Sequence, residues 1–191
     1  MPNIFKTILG SFILILILIG CEENTVNPDV NDNNNLRLEK VTENVTGSGH
    51  ILVLDELRVF NHNARRKNNG SVSGHFQLNN HSTGLHISGS VICFKVIGDQ
   101  AYYGAVIENT NSEDPNFWLV DHYVVWSVVD NGEGNNSDPD QISLITTTGN
   151  VWTEVDILDW CDSGDPGSTL VGGVLVTFEL FEVENGNIQL H

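Results

Sequence analysis

The sequence predicts an all-β domain, a single antiparallel β-barrel with a β-sandwich as the alternative. Three observations carry that prediction. Apolar and polar residues alternate with a period of two, the alternating segments are short, and clusters of Gly, Asn and Asp separate them. No stretch of the domain repeats apolar side chains at a helical spacing.

The first strand-like run covers residues 51–60. Val72, Gly74, Phe76 and Leu78 then alternate with Ser71, Ser73, His75 and Gln77, and Leu85, Ile87, Gly89 and Val91 alternate with His86, Ser88 and Ser90. The residues between, Asn79-Asn80-His81-Ser82-Thr83-Gly84, are turn formers, so the two segments form a hairpin. A further run over 91–97 meets one over 101–108 across the tight turn Gly98-Asp99. Runs over 122–129, 141–147, 151–157 and 170–183 read as strands too. The last is long and apolar on parts of both faces, which places it centrally or at a barrel closure, and Gly172-Gly173 marks a bend or bulge in it.

The N-terminus has a different character. Lys6 is followed by an apolar run of about a dozen residues, which at about 1.5 Å per residue covers roughly 18 Å and falls short of a ~30 Å hydrocarbon layer. That is the pattern of an export signal over residues 1–20 rather than of a spanning helix. The run ends Leu18-Ile19-Gly20-Cys21, which resembles the bacterial lipobox, with Ile19 bulkier than the commonest choice. The resemblance implies cleavage before Cys21, thioether diacylglycerol with palmitate-type acyl chains on that cysteine, and an exported protein of the bacterial cell envelope held on a membrane by lipid. Residues 21–44 are rich in Asn, Asp and Glu without an apolar period and read as a flexible tether, leaving residues 45–191 as the single β domain.

Charge and cysteines narrow the function classes. The chain carries 25 acidic and 8 basic residues, a net charge of −17, and loses one more positive charge if Lys6 leaves with the leader. Nucleic acid is therefore not an expected partner. The one basic cluster, Arg65-Arg66-Lys67, reads as a solvated turn. With Cys21 taken by lipid, Cys93 and Cys161 are left to form a disulfide in an oxidising compartment.

Several groups could carry chemistry. The loop over 129–143 gathers Asp130, Glu133, Asp138 and Asp140 among Gly and Asn, so it is either a Ca²⁺ loop or a plain polar turn, and it lacks EF-hand spacing. A second acidic turn spans 159–167 around Cys161. In a symmetric hairpin His75 and His86 fall nearly opposite each other on the polar face, near enough to share a metal or ligand, although a zinc site needs a third partner. Among the four tryptophans, Trp126 alternates with Val124 and Val128 as core, whereas Trp118 and Trp160 lie in or beside loops and are candidates for contact with a carbohydrate or apolar ligand. There is no Gly-x-Ser-x-Gly elbow, no Cys-x-x-Cys and no phosphate-binding glycine loop.

Two segments, Gly70-Ser71-Val72-Ser73-Gly74 with Phe76-Gln77-Leu78, Gly89 and Val91-Ile92-Cys93, and Val129 to Gly134 with Pro139 to Ser143, resemble a family of small secreted bacterial proteins of unknown function. That resemblance implies no activity and no ligand. Three functions follow as expectations: a non-catalytic envelope lipoprotein whose β domain binds a small molecule, glycan or protein; a small barrel enzyme, isomerase- or hydrolase-like, with its site in the barrel mouth; or a structural envelope component.

Overall fold

The computed structural model describes residues 39–134, 137–163 and 168–191. The expected leader, Cys21 and most of the expected tether lie outside them. The elements in chain order are β1 (Val41–Val53), β2 (Glu56–Lys67), β3 (Val72–Asn80), β4 (His86–Ile97), β5 (Gln100–Thr110), β6 (Tyr123–Val129), β7 (Gln141–Ser143), α1 (Glu154–Ser163), β8 (Ser168–Val171), β9 (Val174–Thr177), β10 (Leu180–Glu182) and β11 (Asn185–Leu190).

The all-β class is as the sequence predicts. Nine strands form one antiparallel sheet in the order β10-β7-β6-β5-β4-β3-β2-β1-β11, curled into a half-barrel whose ladder does not close. Its two edge strands are neighbours in the chain. Between them, Val183 N–H donates to Asp140 O (2.8 Å) and Glu184 N–H to His50 O (3.0 Å), so one continuous segment reaches from the β7 edge to the β1 edge.

Four segments differ from the sequence reading. The run over 51–60 is a hairpin, not one strand: Leu54 and Asp55 occupy left-handed φ of 52° and 66°, the two-residue turn that suits strand twist. The run over 151–157 is not a strand but leads into α1. Thr153 caps that helix, its Oγ1 accepting from Asp156 N–H (3.3 Å) while Asp156 Oδ2 accepts from Thr153 N–H (2.8 Å), a reciprocal capping box. These bonds to Thr153 hold the Asp156 carboxyl below its ordinary pKa. The long strand over 170–183 is the separate hairpin β8–β9, turned at Gly172-Gly173, followed by the short edge strand β10; it is not central. The basic cluster lies at the end of β2 rather than in a turn, with Arg66 paired to Glu43 (2.9 Å) and stacked over Phe94. In addition, β1 begins at Val41, ahead of the expected domain boundary, because Val41, Glu43 and Asn44 pair with Lys67, Arg66 and Arg65 of β2, and Asn44 and His191 also exchange both backbone hydrogen bonds (2.9 and 2.8 Å).

Inward side chains fill the curl. Phe60, Phe76, Phe94, Tyr103 and Trp126 are buried there with Val45, Ile87, Ile107 and Ile188, and the Tyr103 and Trp126 rings stack at 4.7 Å. A second cluster lies on the outer face of β4, β5 and β6. There Cys93, Tyr102 and Val125 are covered by Ile157, Trp160 and Cys161 of α1 and by Val171 and Val176 of the β8–β9 hairpin. Close approach of α1 needs Gly104, where a Cβ would lie 2.2 Å from Ile157 Cγ2. Cys93 and Cys161 form the expected disulfide, which pins α1 to β4.

The bridge closes a span of 68 residues, so its loss is expected to cost about 4 kcal/mol through chain entropy. Chemical denaturation of a Cys93→Ala/Cys161→Ala variant beside the oxidised protein measures this. An unchanged midpoint would show that α1 is held by packing alone.

Candidate functional site

The acidic loop between β6 and β7 is tied to β11. On β11 the N–H groups of Asn187 and Gln189 lie on the side of β1, which leaves those of Ile188 and Leu190 directed at the open edge. Asp140 Oδ2 accepts from Ile188 N–H (2.7 Å) and Asp130 Oδ2 from Leu190 N–H (2.9 Å). The second oxygens turn back into the loop, Asp140 Oδ1 accepting from Asn131 N–H and Asp130 Oδ1 from Gly132 N–H. Glu133 Oε1 accepts from Asn187 Nδ2 (2.8 Å) and Gln189 Nε2 (3.0 Å), which lowers its pKa. Three of the four candidate cation ligands thus have amide donors on their oxygens, and Asp138 is exposed without a side-chain partner among the described residues. Among those residues no three or more His, Cys, Asp and Glu side chains are grouped to hold a metal ion.

His75 and His86 are not opposite each other, contrary to the symmetric hairpin. His75 pairs with Ser90, and His86 with Asn79, to whose Oδ1 its ring is hydrogen-bonded. The register is set by Asn80, which binds the turn: its Oδ1 accepts from Ser82 N–H (3.0 Å) and Thr83 N–H (3.2 Å), its N–H donates to Leu85 O, and its Nδ2 is held by Glu56.

Trp160 is a correction as well. It is buried in the cluster beneath α1, edge-on to Tyr102 at 6.2 Å, and does not form a surface contact. Trp118 is different. It is half-buried, packs one side on the main core, and lines a concavity of about 500 Å³ with Thr83, Gly84, Leu85, Asn111, Ser112 and Glu113. Its φ is 61°, a left-handed conformation that costs a bulky residue on the order of 1–3 kcal/mol. The rim is fixed by Asn111, whose Oδ1 accepts from His86 N–H (2.7 Å) and whose Nδ2 donates to Gly84 O (2.9 Å). Neither the Trp118 indole N–H nor the Glu113 carboxylate has a protein partner among the described residues.

One buried group escaped sequence reasoning. His62, which alternates inward with Phe60 and Ala64 on β2, lies beneath Gly47, where a Cβ would come within 2.5 Å of its ring. Tyr103 (5.0 Å) and Trp126 (6.2 Å) meet it edge-on. Its two ring nitrogens, Tyr103 Oη and Trp126 Nε1 are buried without a protein hydrogen bond among the described residues. Desolvation lowers the His62 pKa to about 3 and raises that of Tyr103, so both are uncharged at neutral pH. The alternation of β2 was the available signal. No known protein family, curated protein or solved structure matches the chain.

Two outcomes are expected. Asp140→Ala removes the acceptor from the Ile188 and Asn131 N–H groups and should destabilise the domain by about 3 kcal/mol, with faster amide exchange at Ile188 as the local readout. His62 binds a proton in the unfolded chain below its ordinary 6.5 but in the fold only near 3. Its contribution to stability is thus complete above about pH 6.5 and is lost as pH falls from there toward about 3, by up to about 1.4 kcal/mol per pH unit. Urea unfolding at about pH 7 and about pH 4.5 should show a smaller acid loss for His62→Phe than for the parent; equal losses would mean that His62 titrates normally.

Proposed function

We propose that this chain is a lipid-anchored binding protein of the bacterial cell envelope, with a non-catalytic β domain carried on a tether from Cys21. The concavity between the β3–β4 turn and the chain that follows β5 carries the binding part of this reading. It joins a half-buried indole, whose N–H has no partner among the described residues, to a carboxylate and hydroxyl-bearing residues, on a rim braced by Asn111. An aromatic face with a few polar groups around it suits a small polar ligand that has one apolar side, such as a sugar ring.

The filled interior supports binding over catalysis. The titratable groups inside, His62 and Tyr103, are buried and held uncharged in aromatic packing. Among the described residues no helix is long and apolar enough to cross a membrane, and the anchoring part of the reading stands on the lipobox of the leader.

Each half of the proposal has its own test. Radiolabelled palmitate should be incorporated into the full chain, and Cys21→Ser should abolish incorporation and release the protein from membranes; an unlabelled, freely soluble parent would refute the anchor. Of the four tryptophans, Trp126, Trp152 and Trp160 are at most 3 % exposed, so acrylamide should quench Trp118 selectively. Glucose, N-acetylglucosamine or cellobiose at millimolar concentration should protect that quenchable fraction, and Trp118→Phe should remove the protection. Absence of protection by all three would count against the concavity as a sugar site.

A further inference from the structure

The outer face of the sheet differs sharply between its two halves. Over β4 to β6 it is buried beneath α1 and the β8–β9 hairpin. Over β11, β1, β2 and β3 it carries side chains in straight transverse rows, because the four strands are in continuous register. One row runs Asn187, Ser48, Asn61, Gln77. The next runs Gln189, Thr46, Asn63, His75, and a third runs Asn185, His50, Val59, Asn79. In a chain with 25 acidic and 8 basic residues, these three rows hold no Asp, Glu, Lys or Arg. Val59 alone among them is apolar.

The centre and the margins of this lattice are built differently. At the β11 margin Glu133 fixes the amides of Asn187 and Gln189. In the third row, Asn185 is bound to His50, and Asn79 to His86. At the centre, Thr46, Ser48, Asn61, Asn63, His75 and Gln77 have no side-chain partner among the described residues. Two adjoining depressions, of about 400 and 330 Å³, lie over this centre and share Ser48 and Asn61.

We propose that this face is a docking surface for a neutral, hydroxyl-rich polysaccharide chain. The partner chemistry follows from what the face offers. Each central amide presents a donor and an acceptor, and each hydroxyl can act as either, so the matching partner repeats groups that also both donate and accept. Within a row the groups repeat one strand apart, about 4.8 Å, and successive rows lie two residues apart along the strands, about 6.8 Å, so the groups recur regularly, as they do along a polymer of sugar units. Within the three rows a charged partner finds no opposite charge; the charges beside them, Arg65 in the next row and Glu133 at the β11 margin, line neither depression, and an anionic partner also meets the repulsion of the whole chain. A protein partner would call for several apolar or aromatic anchors, and these rows offer Val59 alone. The inference rests on the reading of the domain as a binding module but not on the Trp118 concavity. Single hydrogen bonds of this kind contribute little each, so binding depends on several rows engaging together.

The full-length chain in mild detergent, run over cellulose and chitin matrices with carboxymethylcellulose as the anionic counterpart, tests the surface. Retention on at least one neutral matrix, insensitive to salt and absent on the anionic one, is expected. Asn61→Ala/Gln77→Ala should weaken retention about tenfold with an unchanged melting temperature. Asn61→Asp/Gln77→Glu, which keeps side-chain shape, should do so as well, whereas Trp118→Ala should not. Passage of the parent through both neutral matrices would overturn the proposal, and so would retention unaffected by either double variant. Loss with Trp118→Ala alone would overturn it too, moving the site to the rim and leaving the binding reading intact. The quenching experiment judges that reading separately.

Discussion

The open edge of β11 is held by two carboxylates, and the shape of the domain depends on that contact. A sheet edge leaves alternate N–H groups without partners, and here those of Ile188 and Leu190 would face outward from a nearly wrapped sheet. Asp140 and Asp130 meet them from the loop that follows β6, on the other side of the gap. Short charge-assisted bonds do what a further strand would do, without extending the ladder. The same loop bonds to the chain entering β11 through Asp140 O, so backbone and side chain act together at the seam. A loop with the composition of a cation site thereby serves as an acceptor for amides of the fold itself.

With the curl fixed, the two halves of the outer face acquire different surroundings. The half over β4 to β6 receives α1, joined to it by the Cys93–Cys161 bridge, and the β8–β9 hairpin, which cover Cys93, Tyr102 and Val125, while Lys95 donates to Asp162 O at the end of α1. The half over β11 to β3 receives no covering element among the described residues, and its three central rows are neutral and, Val59 apart, polar. The inner face is aromatic on both halves, which is why His62 is uncharged although it sits on a strand whose outer neighbours, Asn61 and Asn63, are wet. A filled interior is the reason both proposed binding surfaces lie on the rim and the outer face rather than inside, where a wider barrel would hold a ligand.

Much of the fold was legible locally. The alternation of 72–78 and 85–91, the Gly98-Asp99 turn and the cysteine count lead directly to β3, β4, the next hairpin and the disulfide. Errors arose where a local signal was overridden or misread. Val151, Trp152, Val155 and Ile157 look like a strand, yet Thr153 and Asp156 form a capping box that starts a helix; the cap was present in the sequence as Thr-x-x-Asp and outweighs the alternation. Leu54-Asp55 turns the chain without glycine, so nothing marked it as a break. The His75–His86 pair failed because Asn80 binds its own turn and shifts the register. Trp118 was identifiable as a loop tryptophan, but its concavity needs Asn111 and the β3–β4 turn to meet.

By itself the sequence determined the secondary-structure class, the disulfide partners and the expectation of a lipid-bearing leader, because alternation, cysteine number and a short apolar run are properties of neighbouring residues. Tertiary structure alone decided that Asp130 and Asp140 bind β11, that Trp160 is core while Trp118 reaches solvent, and that Asn187, Ser48, Asn61 and Gln77 form one row. Those facts depend on strand register and on which face each element covers. Register joins residues far apart in the chain, and no local pattern encodes a partner more than a hundred residues away.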